Sequence, residues 1–221
     1  MGTWTELQAT DGHRLEAYRT MPASRPRGRL LVLQEIFGIN GHMRAVADGF
    51  AEAGYECLVP ALFDRAERGV ELGYDARDVE RGRALRAAIP LDKVVVDMGV
   101  AVADLRSRGK VGALGYCWGG SLAWAAAQRL PVAAAVGYYG GQIVQMLDQA
   151  PKAPVMLHFG ERDHGIPLDD VAKIRAAFPD VPVHLYPAGH GFNCDQRADF
   201  DAACAALARE RTLAFLALHL D

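Results

Sequence analysis

The chain has 221 residues, 51% of them hydrophobic and 23% charged, with a formal net charge of −3. That supplies enough apolar material for one substantial core, and α/β folds reach this length as one domain, here expected to span residues 1–221. No long basic tract occurs, so nothing in the charge pattern points to nucleic acid as a partner.

At the N-terminus, Met1-Gly-Thr-Trp-Thr-Glu-Leu lacks the basic start and apolar stretch of a signal peptide. Glu6 at the sixth position breaks the myristoylation pattern that Gly2 would open. Asp11-Gly12 separates two loosely alternating segments, which predicts an opening hairpin. Arg29 to Glu35 is a short, mostly apolar run, the mark of a strand buried on both faces. Asn40 is placed to cap a helix reaching Ala53 and ended by Gly54. Cys57 to Val59 reads as the next strand, stopped by Pro60.

A charged helical segment follows from Asp75 to Ala88, then an amphipathic helix from Leu91 to Arg108. Lys110 to Gly115 is a strand, Trp118 to Arg129 a helix and Val132 to Tyr138 a strand. Val155 to Phe159, a helix near Asp169 to Ala177, the strand Val183 to Tyr186 and a long C-terminal helix complete the order. Strands alternating with helices over short links imply a mostly parallel sheet covered on both faces. Ligands of such sheets bind beyond the carboxyl ends of the strands. The most alanine-rich stretch, Leu122 to Val136, is interrupted by Gln128, Arg129 and Pro131 and is too polar to span a bilayer. A cytoplasmic protein without a membrane partner is expected, and a monomer, since no exposed apolar helix stands out.

Four cysteines occur, at 57, 117, 194 and 204, too widely spaced for a Cys-x-x-Cys zinc site. Cys57 in its apolar strand and Cys204 in an alanine-rich helix read as buried filler. Cys117 differs. It is the middle of Gly115-Tyr-Cys-Trp-Gly119, a Gly-x-nucleophile-x-Gly turn lying between a strand and a helix. That geometry lifts the thiol to the sheet edge and aims it at the first amides of the following helix, which favour an anion. The pentapeptide alone is also compatible with a buried cysteine in a glycine-rich turn, and its context and partners favour the nucleophile.

In this arrangement the acid and the histidine follow the nucleophile, each in a loop after a strand. Asp163 lies after Val155-Met-Leu-His-Phe-Gly, and His190 after Val183-His-Leu-Tyr. His190 would move the thiol proton and Asp163 would orient the imidazole. Glu161 is a rival acid closer to the strand end. His164 reads as a capping or surface residue and His158 as a core histidine. No set of histidines and carboxylates shows metal-ligand spacing, so neither metal nor cofactor is expected.

These residues resemble the dienelactone hydrolase family. Gln34-Glu35-Ile-Phe-Gly38 with Asn40 is similar to its first catalytic loop, and Gly115 to Gly120, Gly160-Glu-Arg-Asp163 and Ala188-Gly-His-Gly-Phe192 to the later ones. The tail Arg209 to Leu216 is similar to its last helix. The resemblance implies an α/β-hydrolase fold and a hydrolase opening small esters or lactones, most directly dienelactone. It also implies that Glu35 is hydrogen-bonded to the resting Cys117 thiol, and a buried carboxylate with raised proton affinity suits that role. By the same carry-over, the backbone N–H groups of Ile36 and Trp118 form the oxyanion hole.

Two arginines hold the substrate carboxylate in family members that act on dienelactone. Arg77 and Arg81 are both candidates for the one in the charged segment. The other is expected four residues after the histidine, where this chain has Cys194, with Arg197 three residues further on. Phe37, Phe63, Trp118 and Tyr138 are expected as apolar walls around a small, flat, anionic ester or lactone. The alternatives are another small ester substrate, or a non-catalytic protein in which Cys117 is a redox sensor.

Overall fold

A computed structural model describes residues 2–221, with eight strands and six α-helices among them. The hairpin β1 (Thr3–Gln8) and β2 (Arg14–Thr20) opens an eight-stranded sheet. It continues with β3 (Gly28–Leu33), β4 (Tyr55–Pro60), β5 (Val111–Tyr116), β6 (Ala134–Tyr138), β7 (Val155–Gly160) and β8 (Val183–Tyr186). The strand order is β1-β2-β4-β3-β5-β6-β7-β8. β1–β2 and β2–β4 are antiparallel and every other pairing is parallel. The predicted order of elements is present, with boundaries shifted by a few residues. This is the α/β-hydrolase architecture.

The helices are α1 (Gly41–Glu52), α2 (Ala76–Ala88), α3 (Leu91–Arg106), α4 (Trp118–Arg129), α5 (Leu168–Ala177) and α6 (Ala202–Leu220). Local chemistry starts several of them. The Asn40 side chain accepts from Met43 N–H at 3.2 Å, Asp75 from Asp78 N–H at 2.8 Å and Asp201 from Cys204 N–H at 2.9 Å.

The pleat of β5 assigns helices to faces. A Cβ at Gly112 would meet Leu216 and Leu220 of α6, whereas one at Gly115 would meet the backbone of α4. Even and odd positions of a strand point to opposite faces, so α6 and α4 cover opposite sides. α1 joins α6 through Arg209, which donates to the Gly49 carbonyl at 2.8 Å and lies over Phe50. β3 and β5 are therefore sandwiched, and Leu30 to Leu33 are wholly buried. At the far edge of this core, buried Asp97 is held by two 2.7 Å hydrogen bonds from Arg65, which satisfy its charge. No helix among the described residues is long and apolar enough to cross a membrane.

Candidate active site

The carboxyl ends of β3, β5, β6, β7 and β8 meet around Cys117. β5 runs into Cys117, which has φ 55° and ψ −114°, a left-handed conformation rare for a residue with a side chain. The turn is tight enough that a Cβ on Gly115 would lie 1.9 Å from the Gly119 carbonyl oxygen, and one on Gly119 2.1 Å from that of Leu33. Only glycines permit this approach of α4 to β3. Trp118 begins α4, so its N–H has no intrahelical acceptor and is available to an anion.

β7 and β8 deliver the other two members. His190 Nε2 lies 3.2 Å from Cys117 Sγ, and His190 Nδ1 lies 2.7 Å from Asp163 Oδ2. Asp163 Oδ1 accepts from Gly165 N–H at 2.8 Å, which fixes the carboxylate. With a carboxylate at Nδ1, that nitrogen carries the proton and Nε2 faces the sulfur. Burial opposes charge on His190, but Cys117 and Asp163 outweigh it and push its pKa up to about 10. Glu161 is exposed and makes no contact with the imidazole, and His164 is also exposed. His158 is buried and bonded to Tyr186 Oη at 2.8 Å and Thr212 Oγ1 at 3.1 Å, a satisfied core histidine.

Glu35 departs from expectation. Its side chain is wholly buried at the end of β3, but neither oxygen has a hydrogen-bond partner among the described residues. The expected bond to the Cys117 thiol is not formed, because the sulfur faces His190. Glu35 instead has Arg197 Nη1 3.7 Å from Oε1. Burial raises the proton affinity of its carboxyl, while His42, Arg197 and His190 lower it.

A pocket of about 450 Å³ opens over Cys117 and His190. Phe37, Trp118 and Arg197 line it as expected from the sequence, with Ile36 beside them, but two expectations fail. Tyr138 points into the sheet interior, where its hydroxyl meets Thr212 Oγ1 at 2.7 Å. The next residue, Tyr139 (φ 38°), lines the pocket instead and packs against the His190 ring at 5.1 Å. Successive side chains leave a strand on opposite sides, so a one-residue difference decides which tyrosine meets substrate. Phe63 lies outside the pocket, stacked on Trp118 at 5.4 Å, and supports that wall from behind.

Arg77 and Arg81 likewise do not reach the pocket; both are exposed and Arg81 pairs with Glu67. α2 presents Val79, Arg83 and Arg86 to the pocket rim, residues spaced i, i+4 and i+7 on one face. Arg77 and Arg81 each precede a member of that face by two residues and so point away. The helix lies so close that a Cβ on Gly82 would be 2.0 Å from the Ile36 carbonyl oxygen. Asn40 fixes the approach to α2, donating to the Leu72 carbonyl at 3.1 Å and to Tyr74 Oη at 3.0 Å. Arg197 reaches the pocket because its guanidinium lies over the Phe37 and Tyr74 rings, 5.9 Å from each centroid. Cys194, which holds the expected arginine position, is fully buried behind it.

A model of the dienelactone hydrolase family matches residues 15–220. The chain is 37% identical to a carboxymethylenebutenolidase of Pseudomonas putida, across 96% of this chain and 94% of that protein. It is 30% identical to carboxymethylenebutenolidase 1 of Cupriavidus pinatubonensis, across 98% and 97% of the two chains. A crystal structure from Klebsiella pneumoniae assigned to dienelactone hydrolase covers 98% of this chain and 99% of its own, with a TM-score of 0.84 and 27% identity. With the family match spanning nearly its whole length and its strands in the same architecture, this chain belongs to the dienelactone hydrolase family.

Proposed function

We infer that the protein hydrolyses small carboxylic esters or lactones through a thioester on Cys117, with dienelactone (carboxymethylenebutenolide, opened to maleylacetate) as the foremost substrate. The observation that carries this reading is the continuous chain from Sγ of Cys117 through His190 to a buried Asp163, at the floor of a pocket bearing three arginines.

His190 Nε2 holds the proton given up by the thiol as Sγ attacks the carbonyl carbon. The displaced electron pair settles on the carbonyl oxygen, where the Ile36 and Trp118 amides hold it. Collapse breaks the bond to the leaving oxygen, which leaves as an alkoxide or enolate and receives the proton from Nε2. A lactone opens at this step and stays tethered as the thioester. His190 then takes a proton from water, hydroxide attacks the thioester, and the departing thiolate recovers the proton. The net change is ester plus water to acid plus alcohol, with no cofactor in any step. Asp163 keeps the imidazole in the tautomer that both steps need. Glu35 enters as a buried carboxyl whose protonation biases the thiol–imidazole pair, and Arg83, Arg86 and Arg197 select an anionic substrate.

Hydrolysis of cis- and trans-dienelactone by the wild type and by Cys117→Ala tests this reading, with intact-protein mass spectrometry for the acyl-enzyme. Turnover of either isomer, lost in the variant, supports it. Cys117-dependent cleavage of neutral aryl esters alone discards dienelactone and keeps the chemistry. Absence of cleavage across both sets discards the hydrolase.

A further inference from the structure

A second group of donors converges away from the Cys117–His190 contact. A carboxylate oxygen of Glu35, a ring nitrogen of His42 and Sγ of Cys194 lie within 4.8 Å of one another. They come from the end of β3, the first turn of α1 and the loop after His190, and all three residues are buried. Buried polar atoms are costly unless satisfied. Both Glu35 oxygens and His42 Nε2 lack hydrogen-bond partners among the described residues.

The surroundings are those of a ligand set. His42 Nδ1 is held by Asp195 Oδ1 at 3.3 Å, the arrangement in which a carboxylate orients an imidazole and leaves its other nitrogen to a metal. Close to this group, Tyr74 Oη accepts from Asn40 Nδ2 at 3.0 Å.

We propose that Glu35, His42 and Cys194 form a binding site for a thiophilic divalent cation of the zinc class, and that occupancy inhibits the enzyme by withdrawing Glu35 from the Cys117–His190 pair. One oxygen, one nitrogen and one sulfur suit zinc, with water completing four-coordination. Binding forms three protein–metal bonds and releases the Cys194 proton, and the Glu35 proton where present, to solvent; no oxidation state changes. Ligands around tetrahedral zinc lie roughly 3.3–3.8 Å apart, so the donors must close by about 1 Å. Arg197 Nη1, 3.7 Å from Glu35 Oε1, repels a dication bound by that carboxylate and must turn from Glu35 towards the pocket as the metal enters. The donors became neighbours only through folding, since residues 35, 42 and 194 show no metal-ligand spacing along the chain.

The binding claim stands independently of the hydrolase reading, and the inhibitory claim rests on it. Co²⁺ titrated into the full chain under non-thiol reductant reads the site without any substrate. The expected result is one Co²⁺ per chain with a thiolate-to-cobalt absorption band that persists in Cys117→Ala and is lost in Cys194→Ala. His42→Gln should weaken binding more than tenfold, which keeps the test decisive if the buried Cys194 variant does not fold. A band lost in Cys117→Ala but kept in Cys194→Ala, or no band in the wild type, overturns the site. For inhibition, His42→Gln should need more than ten times the Zn²⁺ that halves wild-type turnover; equal sensitivity overturns that half. Should the wild type hydrolyse no ester, the cobalt spectrum still decides the binding claim.

Discussion

Gly119→Ala isolates the steric basis of the nucleophile turn. The new methyl would lie 2.1 Å from the Leu33 carbonyl oxygen and 2.7 Å from that of Gln34, both backbone atoms of the β3 end. Backbone in the middle of a sheet cannot swing aside as a side chain can. The start of α4 must therefore retreat by about 0.9 Å to restore a 3.0 Å contact. Trp118 N–H moves with it, and a misplacement of about 1 Å costs on the order of 10²-fold in rate. The overpacking itself costs about 1–3 kcal/mol, which for a chain of this size lowers Tm by several degrees. Gly99→Ala in α3 is the control, because its nearest new neighbour is Leu130 Cδ2 at 3.7 Å, an ordinary contact. That variant should keep full activity and gain about 0.5–1 kcal/mol, the usual helical advantage of alanine. Steady-state kinetics on an activated aryl ester, paired with thermal denaturation, should show kcat falling about 100-fold in Gly119→Ala. A Gly119→Ala enzyme within threefold of wild type would refute the argument that close approach of α4 to β3 positions the oxyanion donor.

Asp163→Asn should lower kcat by about 10²–10⁴-fold with little change in fold, since the imidazole loses both orientation and its stabilising charge; circular dichroism and kcat measured together check this. His190 is held up to about 10 against an ordinary value near 6.5, so its proton stabilises the folded state. That contribution is full below about pH 6.5 and is lost as pH rises towards 10. The Tm of wild type should thus decline relative to His190→Gln across that window, and parallel curves would exclude it. Arg83→Gln and Arg86→Gln should each raise KM for an anionic ester about tenfold and leave neutral esters unchanged. Arg81→Gln, whose side chain pairs with Glu67 outside the pocket, should change neither.

By itself the sequence determined the order of elements, the glycine-framed turn at Cys117 and the placement of Asp163 and His190 after successive strands. These are local properties: apolar runs, caps and tight turns are written in neighbouring residues. The inward face of α2 was less legible, because its weakly patterned charged sequence does not say which arginines turn towards the pocket. Only the packing of Gly82 on Ile36 makes Arg83 and Arg86 the pocket residues in place of Arg77 and Arg81. β6 ends at Tyr138 as the sequence predicts, and the choice of Tyr139 over Tyr138 turned on which face of the sheet each side chain takes, set by register with β5 and β7. Glu35 was visible as a buried carboxylate, but its surroundings were not. Arg197 and Cys194 reach it from a distant part of the chain and His42 from the next helix, and the contacts that set its charge exist only once β3, α1 and the loop after His190 are folded together.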